Sequence, residues 1–156
     1  MAKLGGSSGK VQISSYDIVI VASLIEGEAK VPEDRPRIAR VIYNRLAKGI
    51  PLGIDAALFV AIGQHKPEIT KSELELDSPY NLRKRAGLPP TPINSPGRDS
   101  LVAALNPSLS SGPAAEPEAD KWLYYVLADK EGHHFFTGDS REFDKAVQRA
   151  RDAGLL

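Results

Sequence analysis

The amino-acid sequence predicts an α+β fold, in which several short helices pack around a small antiparallel β-hairpin or sheet. Three observations carry this prediction: two helix-like segments within residues 16–49, a pair of aromatic-rich segments around residues 129–132, and an amphipathic C-terminal segment from residue 139 onward. With 156 residues, of which 42% are hydrophobic, the chain has the size and composition of one globular domain.

The first predicted helix lies within residues 16–30, which are apolar for most of their length and then turn acidic at Glu26 and Glu28. Ser14 or Ser15 can cap its start. The apolar run is longer than a usual strand, so we favour a buried helix over a buried strand.

A second helix is predicted to begin near Pro32 and end at Gly49, because proline suits a first turn and glycine suits a C-cap. Asp55 can then cap a short helix, and residues 70–73 have the sequence of a capping box. Residues 78–97 hold five prolines and two glycines among aromatic and apolar side chains, which favours an ordered functional loop over a linker.

The C-terminal third begins with a helix that Pro96 is expected to open. Residues 108–120 nearly lack large apolar side chains, so they are predicted to form a mobile surface loop. Residues 122–128 and 133–137 flank a four-residue turn, which indicates a β-hairpin. Residues 139–150 then have the periodicity of an amphipathic helix.

The domain boundaries follow from these elements. Residues 1–12 are rich in glycine and serine and lack the apolar region of a signal peptide, so we interpret them as a flexible leader or a cloning remnant. Residues 13–156 are expected to form a single domain. The longest apolar run, residues 18–25, is about half of what a membrane-spanning helix needs, so no membrane span is expected in this chain.

Charge and motifs exclude several function classes. Twenty basic residues balance twenty acidic ones, which argues against nucleic acid or an anionic membrane surface as the main partner. Without cysteine the chain has no disulfide, thiolate metal site or cysteine nucleophile. No GxSxG, GxGxxG or Walker sequence is present.

A metal or other cofactor is not expected. His133 and His134 are adjacent on a predicted strand, where side chains alternate, so one faces inward, the other faces solvent, and they cannot chelate one ion together. His65 is the only other histidine. The inward histidine can line a cleft or be a core residue, and the residues alone do not distinguish these.

Glu26 is the first candidate for chemistry. A carboxylic acid works as a general acid near neutral pH when an apolar pocket raises its pKa, and Glu26 follows eight apolar or small residues. Its helical neighbours Val19, Ala22 and Ser23 are small and leave space for a substrate. Glu28 lies two residues further and points away. The alternative is that both acids only mark the solvated end of a buried helix.

A second set of polar residues lies at helix or loop edges beside apolar residues. Asn44, Asp55, Tyr80 and Asn81 offer the aromatic and amide groups that suit sugar recognition. The same residue types are equally common as caps and turn formers.

Five blocks of sequence together resemble one family. They are ASLIEGEA (22–29), EDRPRIARVIYNRL (33–46), SPYNLRKRAGLPPTPINSPG (78–97), SLVAALNP (100–107) and GHHFF (132–136). The sequences of these blocks and their order closely resemble the endolytic murein transglycosylase family, also called MltG-like or YceG-like, over nearly all of residues 22–143. The resemblance implies that residues 13–156 are a catalytic domain without cofactor or metal.

The resemblance also implies an activity and its residues. The family's catalytic acid falls on Glu26, which would cleave the bond between N-acetylmuramic acid and N-acetylglucosamine and leave 1,6-anhydro ends. Peptidoglycan strands, and peptidoglycan synthases as protein partners, are the implied partners, on the extracytoplasmic face of the bacterial membrane. The implied substrate-binding residues are Glu28, Asn44, Asp55, Tyr80, Asn81 and His133.

Two departures and two alternatives accompany the resemblance. Gly27 stands where the family has a bulkier residue, and Ala56 stands where a proline usually follows the aspartate. One alternative is a hydrolytic muramidase that pairs Glu26 with Asp55 or Asp77. The other is a glycan-binding module without turnover.

Overall fold

The computed structural model describes the backbone of residues 2–6 and 9–156 and the side chains from residue 12 onward. Its elements confirm the predicted α+β class, with helices around small antiparallel sheets. In chain order they are β1 (Ala2–Gly6), β2 (Gly9–Ile13), α1 (Ser15–Glu28), α2 (Asp34–Lys48), α3 (Leu58–Ile62), α4 (Lys71–Leu74), α5 (Arg98–Leu105), β3 (Tyr124–Leu127), β4 (His134–Thr137) and α6 (Ser140–Asp152), with 3-10 turns at Asp55–Ala57 and Ala119–Lys121.

Helix α1 is the centre of the hydrophobic core and packs against α2 and α5. Val21, Leu24 and Ile25 are fully buried, and the helix is apolar around most of its circumference, as expected of an element buried on all sides. Ser14 caps it through a capping box with Asp17, which confirms the prediction that a serine begins this helix.

Helix α2 lies beside α1 and is contacted by β2. Gly49 ends it in the left-handed conformation with φ of 66°, as predicted, whereas Pro32 lies in the turn before the helix and not within its first turn. Strand β2 pairs antiparallel with β1 and brings Ile13 into the core. These strands fall largely within the segment interpreted as a flexible leader, whose flexibility stays a prediction.

Between α2 and α5 the chain is mostly loop. Residues 70–73 form the predicted capping box at the start of α4. Residues 78–97 follow an irregular but defined path, with Leu82 buried in the core, as predicted for an ordered loop. Asp55 does not cap a helix through its side chain, because Arg83 binds its carboxylate instead.

The C-terminal hairpin is present as predicted. Strands β3 and β4 pair antiparallel, with Tyr125 opposite Phe136. Helix α6 covers the hairpin and forms a second apolar cluster in which Ala146 and Ala150 pack with Val126. Asp139 caps α6 by accepting hydrogen bonds from two backbone amides of its first turn.

The segment predicted to be a mobile surface loop contacts α2 near both of its ends. The backbone amide of Ser108 donates to the carbonyl of Pro36 at 3.0 Å, and Arg37 Nε donates to Glu116 Oε1 at 2.7 Å. Residues 111–115 between these contacts are exposed. The expected mobility can therefore concern only the middle of the segment, where it stays a prediction.

Candidate functional site

The last turn of α1 presents three consecutive residues to three different surroundings. Glu26 faces the start of α5, Gly27 faces Ala56 and the loop before α5, and Glu28 faces β3. Residues two positions apart on a helix point in directions that differ by about 200°, so the carboxylates of Glu26 and Glu28 leave the helix in nearly opposite directions. As predicted from the sequence, they cannot act together as one carboxylate pair.

Glu26 is exposed and is held by the N-terminal turn of α5. Ser100 Oγ donates to Glu26 Oε2, and the amide of Gly97 lies 3.4 Å from the same oxygen. Ser100 is fully buried, so its hydroxyl is fixed in place. The unpaired amides at a helix start favour negative charge. The predicted apolar pocket around Glu26 is therefore wrong: its surroundings are polar and open, because the start of α5 lies against this face of α1.

The loop before α5 is bound to α1 by Ser23. The Ser23 hydroxyl accepts the amide of Ile93 at 3.0 Å and donates to the carbonyl of Ile20 at 2.7 Å. Asn94 Nδ2 donates to the carbonyl of Ser23 at 2.9 Å. These bonds fix the loop a few residues before Gly97, and so fix the groups that hold Glu26.

Gly27 and Ala56, the two departures from the family pattern, face each other. A Cβ atom at Gly27 would lie 3.5 Å from the Cβ of Ala56, which is ordinary contact. Together with Phe59, His65 and other residues they line a groove of about 380 Å³ beside the last turn of α1. The rings of Phe59 and His65 are 4.4 Å apart on its wall.

Glu28 lines a second and larger cleft, of about 600 Å³, on the other side of α1. Tyr125 Oη donates to Glu28 Oε1 at 3.1 Å. Burial raises the pKa of Glu28 above its ordinary value, and the nearby charge of Asp55 raises it further, while the bond from Tyr125 opposes the shift. Burial, and then the neighbouring Glu28, raises the pKa of Tyr125 well above its usual range.

Asp55 lines the same cleft and is paired with Arg83. Arg83 Nε and Nη2 donate to the two carboxylate oxygens of Asp55 at 2.6 and 2.7 Å, which is the bidentate geometry of a strong ion pair. The pair brings the 3-10 turn after α2 together with the ordered loop. Both side chains are part-exposed, at 38% for Asp55 and 51% for Arg83.

The two asparagines hold backbone segments. Asn44 Nδ2 donates to the carbonyls of Ala119 and Trp122, both at 2.9 Å, and so ties α2 to the entry of β3. Asn81 Nδ2 donates to two carbonyls at the end of α4, also at 2.9 Å, and the residue is 1% exposed. These bonds give both amides a positioning role; their predicted contact with a substrate stays a prediction.

Tyr80 is half-buried in the ordered loop. Its hydroxyl is hydrogen-bonded to Thr91 Oγ1 at 2.7 Å, which links the two halves of that loop. Its predicted contact with a substrate stays a prediction as well.

The two histidines differ in surroundings, as predicted, although β4 begins at His134 and does not include His133. His133 is 42% exposed, and its ring nitrogens contact Asp129 at 2.8 Å and Glu33 at 3.1 Å. These two carboxylates raise the pKa of His133. His134 is 8% exposed, contacts Asp34 and lines the cleft of Glu28.

The structure brings together only part of the predicted site. Glu28 and Asp55 share the larger cleft, whereas the described residues that line it do not include Glu26, Tyr80, Asn81 or His133. Convergence of those four on one cleft stays a prediction.

Sequence reasoning did not single out Ser100, Tyr125 or Arg83 as functional residues, and it left open whether the inward histidine, which is His134, lines a cleft. Ser100, Arg83 and His134 lie within blocks of the resemblance, whereas Tyr125 has no local signal, since its partner Glu28 is distant in sequence.

Two further properties concern the described residues as a set. They contain no cluster of three or more histidine or carboxylate side chains that could hold a metal ion. They also contain no helix with the length and apolarity that crossing a membrane requires.

Comparison with known proteins gives one consistent result. Residues 2–149 match the model of the YceG-like family. The chain is 40% identical over 141 residues to an endolytic murein transglycosylase of Bacillus subtilis strain 168, covering 90% of this chain. It is 32% identical over 136 residues to a protein of the same name from Streptococcus pneumoniae serotype 2, covering 84% of this chain.

A solved structure is similar as well. The crystal structure of a YceG-like protein from Listeria monocytogenes superposes with a TM-score of 0.73 at 38% identity, over 85% of this chain and 40% of that one. The chain spans only 36% and 23% of the lengths of the two curated relatives.

Proposed function

This chain belongs to the YceG-like family, and from that premise we propose that it is the catalytic domain of a lytic transglycosylase that cuts peptidoglycan strands internally. The proposed bond is the β-1,4 linkage between N-acetylmuramic acid and N-acetylglucosamine. Relatives named endolytic murein transglycosylase, at up to 40% identity, support the reaction class. The observation that carries the assignment to this domain is the last turn of α1, where Ser100 holds Glu26 open to a substrate and burial raises the pKa of Glu28.

The proposed mechanism uses Glu26 twice. As an acid it protonates the glycosidic oxygen, so that N-acetylglucosamine leaves with that proton. As the resulting carboxylate it takes a proton from the C6 hydroxyl of the muramic acid, whose oxygen closes on C1 to give a 1,6-anhydro ring. No water is consumed, and Glu26 ends protonated as it began. An internal nucleophile needs no second carboxylate to position water.

The hydrolytic alternative needs a second carboxylate near Glu26. Its candidates are both bound by arginine: Asp55 by Arg83 in bidentate geometry, and Asp77 by Arg85 at 2.6 Å. Arg85 lowers the pKa of Asp77, which is 88% exposed. Asp55 also lines the cleft on the other side of α1 from Glu26, which favours the single-acid reaction over a muramidase that pairs these two residues.

Cellular context follows from the same proposal. We propose that the protein acts at the extracytoplasmic face of the bacterial membrane, where peptidoglycan lies, with peptidoglycan synthases as protein partners.

Product analysis tests the proposed function. Purified peptidoglycan is digested with the chain, and the released fragments are measured by mass spectrometry. Anhydromuramic ends are expected. Reducing ends, heavier by one water, would instead establish a muramidase, and binding without cleavage would establish a glycan-binding module.

A further inference from the structure

The buried pair Asp34–His134 is not used by the mechanism above. Asp34 is fully buried, and its Oδ2 accepts both the backbone amide of His134 at 2.7 Å and the ring at Nδ1, at 3.0 Å. Arg37 Nη1 lies 3.3 Å from the other oxygen, Oδ1, which supports an ionised Asp34. The pair thus joins the start of α2 to β4.

This geometry fixes which nitrogen of His134 carries the hydrogen. An ionised carboxylate only accepts hydrogen bonds, so the Nδ1 that faces it must be the donor. Nε2 is then the ring nitrogen left for a ligand, and it accepts a hydrogen bond in the neutral imidazole or donates one in the imidazolium. No hydrogen bond to Nε2 is found within the described part of the chain, whereas both His134 donors toward Asp34 are used.

The ring is also held in orientation by its neighbours. Tyr125 contacts it edge-on, with ring centroids 5.5 Å apart, and the centroid of Phe136 lies 6.3 Å away. With only 8% of the side chain exposed, the part of His134 that solvent reaches lies in the wall of the cleft that Glu28 and Asp55 also line. A ring fixed by a buried carboxylate and two aromatic side chains loses little entropy when it binds a ligand.

We propose that His134 is a substrate-contacting residue, whose Nε2 hydrogen-bonds to a sugar hydroxyl or an acetamido group in the part of the glycan that lies in this cleft, beyond the sugars bound at Glu26 on the other side of α1. Asp34 is its positioning residue. The inference rests on the proposed function, since it takes an N-acetylated glycan as the ligand. It assigns a role to His134 that the family resemblance gives to His133.

Two substitutions separate ligand contact from structural support. His134→Asn keeps an amide near the position of Nδ1, within reach of Asp34, and removes the group at Nε2. His134→Gln places its amide near the position of Nε2 and gives up the bond to Asp34. A residue that matters only for the fold should tolerate asparagine better, whereas a ligand-contacting residue should tolerate glutamine better.

The experiment measures calorimetric binding of a soluble tetrasaccharide of alternating N-acetylglucosamine and N-acetylmuramic acid. All variants carry Glu26→Gln, so that the ligand is not cut. We expect His134→Asn to raise Kd about threefold to tenfold, the range for one lost neutral hydrogen bond, and His134→Gln to stay closer to the Glu26→Gln parent. Equal affinities, or the reverse order, overturn the role of His134.

A second measurement leaves His134 unchanged, so it tests the inference even if the His134 variants fail to fold. In the Glu26→Gln protein, the ¹⁵N resonance of His134 Nε2 should shift during titration with the tetrasaccharide, and an unmoved resonance in a bound protein contradicts the inference. If the Glu26→Gln protein binds no tetrasaccharide at all, the proposed function fails and this inference fails with it. If the tetrasaccharide binds but neither the His134 variants nor the His134 resonance show an effect, the inference fails while the proposed function stands.

Discussion

Ser100 and Glu26 are hydrogen-bonded across 74 positions of sequence, with the serine hydroxyl donating to Oε2 of the carboxylate. The serine is buried and the glutamate is exposed. One end of the hydrogen bond is therefore fixed in the protein interior, while the other is open to a substrate. An acid held in this way is oriented without being enclosed.

Replacing Glu26 with glutamine should abolish cleavage and leave the fold intact. The amide keeps the shape and can still accept from Ser100, but it cannot donate and then recover the proton that the mechanism needs. Loss of a general acid and base reduces the rate by about 10² to 10⁴. Fragment release from peptidoglycan and a thermal melt are the measurements.

Two glutamates serve as comparisons for that variant. Glu28→Gln should retain partial activity, and Glu118→Gln, an exposed residue paired with Lys121, should retain all of it. Unimpaired cleavage by Glu26→Gln would end the case for Glu26 as the catalytic acid.

Ser100→Ala should lower kcat with little change in KM, because it removes the donor that orients Glu26 but no group expected to touch the glycan. A hydrogen bond to a charged group contributes about 1.5–3 kcal/mol, which corresponds to a loss of about tenfold to a hundredfold. Ser110→Ala is the matched control, since Ser110 also donates to a carboxylate, that of Asp120. Equal kcat in both variants would show that the Ser100 bond has no part in catalysis.

Glu28→Gln should change stability in a pH-dependent way. The pKa of Glu28 is raised in the folded chain above its ordinary value of 4.5, so the folded state binds more protons than the unfolded state as pH rises past that value. The stabilising effect of Glu28 is full below 4.5 and is lost as pH rises through the folded pKa. Glutamine still accepts from Tyr125 without a charge to bury.

The expected result is that Glu28→Gln unfolds at a higher temperature than the parent near neutral pH, with the difference shrinking in acid. Thermal melts at about pH 4 and about pH 7 measure it. A difference that is constant with pH, or that grows in acid, would contradict a raised pKa at this site.

Shortening residues 111–115 should leave the melting temperature nearly unchanged, because these residues are exposed and lie between the contacts with α2. Glu116→Ala should reduce stability by about 0.2–1 kcal/mol, since it removes the ion pair with Arg37 at 2.7 Å. Differential scanning calorimetry of the two variants checks both. A larger loss from the shortened loop than from Glu116→Ala would mean that its middle packs after all.

The sequence predicted what depends on neighbours along the chain. Ser14 and Thr70 begin helices through capping boxes within three residues, and the hairpin follows from local turn and strand preferences. What depends on distant partners was not predictable. The start of α5 lies where an apolar pocket was expected around Glu26. Asp55 was expected to cap a helix, but its carboxylate binds Arg83, which is 28 positions away in sequence.

The bond between Tyr125 and Glu28 spans 97 positions of sequence, and that between His134 and Asp34 spans 100. Contacts between such distant segments slow folding. They also form late during synthesis, because the chain is made from its N-terminus and β3 and β4 are made after α1 and α2. A nascent chain that ends before β3 holds Glu26 and Glu28 but not the wall of the larger cleft. Completion of that cleft, and any binding that depends on it, must therefore wait until nearly the whole domain has been synthesised.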